Sequence, residues 1–272
     1  MAFVLHEDEN GTARHGTFSI FPDGLLVHAV STRLGGIGKA PYDSMNLALH
    51  VGDDAADVVE NRRRFLGRLG LDFNRLTTPE QVHGEQIVRV GEGEAGRGRF
   101  SCADAIPGTD ALMTDVPGMP LMLCSADCTL ILLFDPVHRA TAIAHGGWKG
   151  TVRSIAAKTV RAMTDAYGTR PEDCLAAIGP SIGPCCYEIG DEVAEEFRNA
   201  FPKYEQEIIL EENGKIRLDL WKMNCLQLED AGLLPGRIDA ANLCTSCHAR
   251  TFFSYRAEGP TTGRIAAVMA IR

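Results

Sequence analysis

No stretch of about 18 consecutive apolar residues occurs in the 272-residue chain, so the sequence offers no membrane-spanning helix. Aromatic residues are scarce at 7%, and positive charge is in deficit: 27 Lys and Arg stand against 36 Asp and Glu, a net charge of -9. A chain this acidic lacks the basic face that neutralises nucleic-acid phosphates or anionic lipid headgroups, so neither nucleic acid nor a membrane is expected as a partner. Also missing are a Pro- or Ser-rich linker, a low-complexity tract and an internal repeat, which makes one domain over residues 1–272 the expectation. The opening MAFVLHEDENGTARHG has neither the basic start nor the apolar run of a signal peptide, and a cytoplasmic location with reduced thiols is expected. Against these absences stand nine cysteines. An odd count, spread from Cys102 to Cys247 in a chain with 45% hydrophobic residues, is not the disulfide framework of a small secreted domain. Reduced thiols serve as core filler, metal ligands or nucleophiles, and filler is the default.

Leu25 to Ser31 reads as a strand, and Asp53 or Asp54 caps a helix over about Ala55 to Leu69, whose Arg62, Arg63 and Arg64 read as a solvated face. Short apolar runs at 87–90, 111–114, 121–125, 130–134 and 141–144, punctuated by Pro, Gly and Asp, predict closely spaced strands. After Gly150, Val152, Ile155, Ala156, Val160 and Met163 follow helical spacing until Gly168 closes the helix. A strand at 175–178, a helix from about Asp191, another near Trp221, Cys225 and Leu228, and strands near Ile238 and Ile265 complete the chain. Runs of strands interrupted by single helices predict an α+β, layered fold with mixed β-sheets and flanking helices.

The stretch LCSADCTLILLFDPVHRATAIAHGGWKG, Leu123 to Gly150, carries the chemistry. Two strands in it end in reactive side chains beside small residues: Cys128 follows Ser125, Ala126 and Asp127, and His145 precedes Gly146 and Gly147. A thiolate brought against an imidazole makes either a metal site or a nucleophile and base pair. His83, in PEQVHGEQIVRV, is a third candidate just before a strand. Two His and one Cys leave the fourth tetrahedral position of a zinc ion open to water, as a catalytic zinc requires.

QVHG at Gln81 to Gly84, SADC at Ser125 to Cys128 and HGGWKG at His145 to Gly150 resemble the laccase-domain, or YfiH-like, purine nucleoside phosphorylase family, also called the peptidoglycan editing factor or multicopper polyphenol oxidase family. STRLGG, SMNL, Asn61-Arg62, GTDALMT, IGPSIGPCCYE, FFSY and TGR extend the match over nearly the whole chain in the family's order. The resemblance implies a fold similar to the catalytic domain of cytotoxic necrotizing factor toxins. It implies zinc on His83, Cys128 and His145, the trio that the residues themselves single out. A nucleoside and phosphate pocket is implied around Arg33, Asn46, Arg62, Gln81 and Asp110, with Arg33 and Arg62 as bidentate phosphate holders. The implied reactions are phosphorolysis of adenosine, inosine, guanosine and methylthioadenosine, and deamination of adenosine. Two positions depart from the family pattern, which has Arg where this chain has Lys149 and Ala257. Lys cannot reproduce the planar fork, which puts a phosphate role at 149 in doubt.

Two other chemistries use the same residues. Cys128 and His145, with Asp127 orienting the imidazole, can form a cysteine amide hydrolase, which the family's peptidoglycan-editing role favours. A copper polyphenol oxidoreductase, or laccase, is the second; eight His with no His-x-His pair argue against a multicopper cluster, although Cys and imidazole do bind copper. Asp110, Asp127 and Gln81 are the candidate proton donors. Cys244 to His248 spells C-x-x-C-H, a haem pattern that belongs to exported proteins. Cys124 and Cys128 with Cys244 and Cys247 form a possible four-thiolate zinc set, and Cys185-Cys186 reads as a turn and packing feature. STRLGGIGK is not a P-loop, since Ala40-Pro41 follows it in place of a helix. His50 and His138 read as ordinary surface or core residues.

Overall fold

Five strands, Ala111–Thr114, Leu121–Ser125, Thr129–Asp135, Ala140–Gly146 and Ile265–Ile271, are buried at every position, which is why they read as unbroken apolar runs and not as alternating ones. A computed structural model describing residues 3–272 shows what covers both of their faces. In chain order the strands are β1 (Phe3–Glu7), β2 (Ala13–Phe18), β3 (Leu26–Ser31), β4 (Ile87–Arg89), β5 (Ala111–Thr114), β6 (Leu121–Ser125), β7 (Thr129–Asp135), β8 (Ala140–Gly146), β9 (Leu175–Ile178), β10 (Glu188–Ile189), β11 (Ile209–Glu212), β12 (Lys215–Leu218), β13 (Ile238–Ala240) and β14 (Ile265–Ile271). The helices are α1 (Ala55–Arg68), α2 (Trp148–Val152), α3 (Ile155–Tyr167), α4 (Asp191–Ala200), α5 (Glu205–Ile208), α6 (Leu220–Asp230) and α7 (Tyr255–Glu258).

An antiparallel five-stranded sheet runs β1-β2-β3-β14-β6, and a six-stranded sheet runs β13-β9-β7-β8-β5-β4. The second is antiparallel at its centre and parallel at both edges, where β13 lies on β9 and β4 on β5. The two sheets face each other through Leu121, Leu123, Ala267 and Met269 on one side and Leu112, Leu130, Leu132, Phe134 and Ile143 on the other. The alternate residues point outward, as the two-residue period of a strand dictates. Met122, Cys124, Ala266 and Val268 pack under Phe65 and Leu66 of α1, while Ile131, Leu133, Ala142 and Ala144 pack under Ile155, Val160 and Met163 of α3 and Leu228 of α6. The result is the expected mixed α+β layered fold, four layers deep. A small antiparallel sheet, β10-β12-β11, packs with α4 and α6 to one side.

Local chemistry sets the element ends. The Asp54 carboxylate accepts from the Ala56 N–H and starts α1, and Gly168, at φ 73, closes α3. The helical pattern after Gly150 is two helices, because Ser154 takes the left-handed conformation at φ 63 between them. The small sheet carries a hairpin signal, Asn213-Gly214, both at positive φ, which the apolar pattern alone did not reveal. The arginine run of α1 splits. Arg64 is exposed and pairs with Glu60, whereas Arg62 is buried and donates to the carbonyls of Leu47, Gly98 and Arg99.

Phe134 is fully buried between the two sheets. Phe134→Ala is expected to lower stability by about 3–5 kcal/mol in urea unfolding, while Val137→Ser on the exposed turn beyond it stays within about 0.5 kcal/mol of the parent.

Candidate active site

The strand registers assemble the site. β7 pairs with β8 so that Leu130 faces His145 and Thr129 faces Gly146; one further step sets Cys128 beside Gly147. β5 pairs with β8 so that Ala111 faces Ala144, and one further step sets Asp110 beside His145, whose N–H donates to the Asp110 carbonyl at 2.8 Å. Cys128 lies where the chain crosses from one sheet to the other, at a corner in which Asp127 adopts φ 87. His83 comes from a loop outside the strands and also sits in left-handed conformation, at φ 58. Strained non-glycine backbone of this kind persists where its surroundings hold it, and here it aims two loops at one point. The ligand atoms of His83, Cys128 and His145 lie within 4.8 Å of one another, and the two imidazoles meet edge to face at 4.8 Å.

Asp110 orders this group. One carboxylate oxygen accepts from His145 Nδ1 at 2.9 Å and from the His83 N–H at 3.0 Å; the other accepts from the N–H groups of Val82 and Gly84 at 3.1 and 2.6 Å. The pairing puts the Nδ1 proton of His145 on the carboxylate side and leaves Nε2 for Cys128 or a metal. Burial alone raises the Cys128 thiol, but the His145 and His83 imidazoles more than offset this and hold it down at about 6. Burial likewise opposes a charged His145, yet Cys128 and Asp110 lift it to about 9. A tetrahedral zinc with bonds of about 2.0–2.3 Å spaces its ligands roughly 3.3–3.8 Å apart, so the trio fits such an ion, with its fourth position open.

The trio opens into a cavity of about 470 Å³, a volume suited to a small-molecule ligand. Gln81 reaches its wall, with its amide bonded both ways to the Cys124 backbone, so it also pins the His83 loop to β6. Asp127 lines the cavity too, but its carboxylate accepts from the Thr245 hydroxyl and the Arg256 N–H, so it is Asp110 and not Asp127 that orients the imidazole. Arg33, Asn46 and Arg62 do not line the cavity. Arg33 is tied to Glu258 at 2.6 Å and to the Ala249 carbonyl, and Arg62 is consumed by its three carbonyls. Asn46 is buried and accepts from the Arg264 N–H, so it acts on the wall through Arg264. The cations that do line the cavity are Arg256 and Arg264. Arg256 directly follows the FFSY segment and Arg264 ends TGR, but nothing along the chain marked those arginines over Arg33 and Arg62. His50 also belongs to the wall, where burial and then Arg264 push its pKa down to about 4. Lys149 is exposed, over the Trp148 ring. The thiols regroup as well: Cys124 faces α1, and Cys244 and Cys247 meet Cys185 and Cys186.

Residues 27–272 match the model of a family described as multi-copper polyphenol oxidoreductase laccase. The chain belongs to this laccase-domain family. A purine nucleoside phosphorylase, YlmD, of Geobacillus stearothermophilus is 41% identical over 274 residues, which cover 100% of this chain and 98% of that protein. The crystal structure of YlmD from the same organism superposes with a TM-score of 0.92 at 38% identity, covering 99% of each chain. A protein of an unidentified prokaryote named adenosine deaminase RL5 is 35% identical over 88% of this chain and 91% of its own length.

In this laccase-domain chain a Cβ at Gly147 would lie 2.9 Å from Cys128 Sγ and 3.3 Å from the His83 ring. Gly147→Ala is therefore expected to leave the unfolding midpoint close to the parent while metal affinity, followed by competition with a chelator, drops at least tenfold, the scale of losses when metal ligands are misaligned. Unchanged affinity would show that Gly147 does not set the ligand spacing.

Proposed function

We propose that the chain is a purine nucleoside phosphorylase that also deaminates adenosine, with zinc held by His83, Cys128 and His145. The observation that carries the reading is the convergence of these three side chains at the end of a cavity walled by aromatic rings and two arginines. Zinc held by these residues would supply a Lewis acid. Trp148, Tyr187 and Tyr255 offer flat faces to a purine base, which is the part that adenosine, inosine, guanosine and methylthioadenosine share. Arg264, whose Nε and Nη2 are not engaged with carbonyls among the described residues, supplies the positive charge for phosphate, while Arg256 donates through Nη1 and Nη2 to the Cys186 and Glu188 carbonyls and braces the wall beside it. Burial lowers the Arg264 pKa, so a desolvated cation stands at the wall and gains from an anionic partner. Asp110 keeps the Nδ1 proton of His145 in place throughout.

The test is zinc quantitation coupled to product analysis with adenosine. Adenine and ribose 1-phosphate are expected only with phosphate, and inosine with or without it; Cys128→Ala and His145→Ala are expected to abolish both. Near-parent phosphorolysis by either variant would overturn the metal assignment. Arg264→Ala is expected to raise KM for phosphate about tenfold or more, the worth of a lost charged hydrogen bond, while Arg62→Ala lowers the unfolding midpoint and leaves that KM unchanged.

A second reading rests on one observation: Cys128, His145 and Asp110 stand in the order nucleophile, base and orienting carboxylate, with the thiol already ionised near neutral pH. It makes the protein an amide hydrolase acting on peptidoglycan precursors. The thiol is depressed to about 6 in the folded chain, so alkylation of Cys128 in metal-free protein is expected to reach half its maximal rate near pH 6. His145→Ala moves that midpoint upward, toward the ordinary thiol value. Amide hydrolysis persisting in zinc-free protein and blocked by iodoacetamide would favour this reading; nucleoside turnover lost to chelator and restored by zinc favours the first.

A further inference from the structure

A second group of four thiols stands apart from the trio. Cys185 and Cys186 follow β9 on one loop, and Cys244 and Cys247 lie on the turn after β13; their Sγ atoms are all within 4.8 Å of one another. Cys247 Sγ is 3.6 Å from that of Cys185 and 3.4 Å from that of Cys186. A tetrahedral zinc with Zn–S bonds of about 2.3 Å has sulfur–sulfur edges of roughly 3.8 Å, so the four already stand near the corners of that tetrahedron. One pair of thiols would be enough for a disulfide, whereas four round a common centre is the arrangement a closed structural site requires. The Gly183 N–H donates to Cys244 Sγ at 3.3 Å, a contact that supports a thiolate at the most buried corner. We propose that Cys185, Cys186, Cys244 and Cys247 bind a zinc ion that clamps two loops of the cavity wall together.

The position of the clamp gives it a purpose. The first loop carries Ile182 and Tyr187 into the cavity wall. The second carries Thr245, whose hydroxyl donates to Asp127 at 2.6 Å, and Arg256 Nη1 donates back to the Cys186 carbonyl at 2.7 Å. Backbone contacts between the loops are few: Thr245 N–H to the Ser181 carbonyl at 3.0 Å, and Ser181 N–H to that of Leu243 at 3.3 Å. Four metal–sulfur bonds hold such a junction far more firmly than these two hydrogen bonds. The inference does not rest on the nucleoside reading, since it concerns other ligands and a closed coordination sphere.

Purified protein carrying Cys128→Ala and His145→Ala, which removes the first site, is expected to retain about one zinc per chain by elemental analysis. Adding Cys185→Ser and Cys247→Ser is expected to remove it. Cobalt loaded into the first variant should show the intense thiolate charge-transfer absorption of a four-sulfur tetrahedral site. The unmutated protein gives an independent readout if the variants fail to fold: Cys185, Cys186, Cys244 and Cys247 should resist alkylation until a strong chelator under denaturing conditions removes zinc, while exposed Cys102 reacts at once. Alkylation of the four as fast as Cys102, their recovery as a disulfide from protein purified under reducing conditions, or no zinc in the folded first variant would each overturn the proposal. Loss of zinc from the trio alone would sink the first-site reading and leave this one standing.

Discussion

Asp110 is fully buried, and its carboxylate accepts hydrogen bonds from His145 Nδ1 and from the backbone N–H groups of Val82, His83 and Gly84. A buried carboxylate is costly unless its lone pairs are filled, and these donors fill them. Burial opposes its ionisation, but His145 and the backbone donors prevail and hold the carboxyl below the usual range. Much of the site depends on that one anion. It selects the tautomer of His145, and it gathers three successive amides of the Val82–Gly84 loop, which is what keeps His83 in a conformation that non-glycine residues seldom adopt. Replacing it with a neutral group would release the loop and the imidazole together.

The layered fold makes such a carboxylate affordable. β5, β7 and β8 are buried on both faces, so their ends are rigid, and a residue one step beyond a strand inherits the register of its neighbours. Asp110 and Cys128 hold such positions, and His145 is the last residue but one of β8. Only His83 comes from a loop away from the strand ends, and that is the loop whose three N–H groups donate to Asp110. Glycine fills the remaining gap: at Gly147 there is no room for a side chain between Cys128 and His83.

The strands of the two large sheets were legible because their apolar runs are long and sharply punctuated, and α1 and α3 because their caps are ordinary ones, Asp54 and Gly168. The trio was legible too, because each member ends a strand or precedes one beside glycine or other small residues. What could not be read was direction. Arg62 and Arg64 differ by two positions on one helix, yet one is buried against three carbonyls and the other exposed beside Glu60, a difference fixed by the turn of the helix against the loop at Gly98. Arg33 and Arg264 are likewise indistinguishable as types, and Glu258 claims the first. Cys185 and Cys186 lie about 60 residues from Cys244 and Cys247, and the parallel pairing of β9 with β13, continued by the bridge of Ser181 to Cys244, brings the pairs together.

The electrostatics of the trio would also set how it takes up the proposed metal. Without an ion, Cys128 is depressed to about 6 and His145 raised to about 9, so between those values the pair is a thiolate beside an imidazolium. A divalent ion needs the thiolate and a neutral imidazole, so near neutral pH only His145 of these two must give up a proton. Affinity should therefore rise with pH, by about one proton's worth from this pair, until His145 is neutral near pH 9, and then level off. Below about pH 6 the thiol is protonated as well and the dependence steepens. Asp110 acts in both directions here: it raises the proton affinity of His145, which competes with the metal, and by the same hydrogen bond makes the freed Nε2 a stronger ligand once that proton has gone.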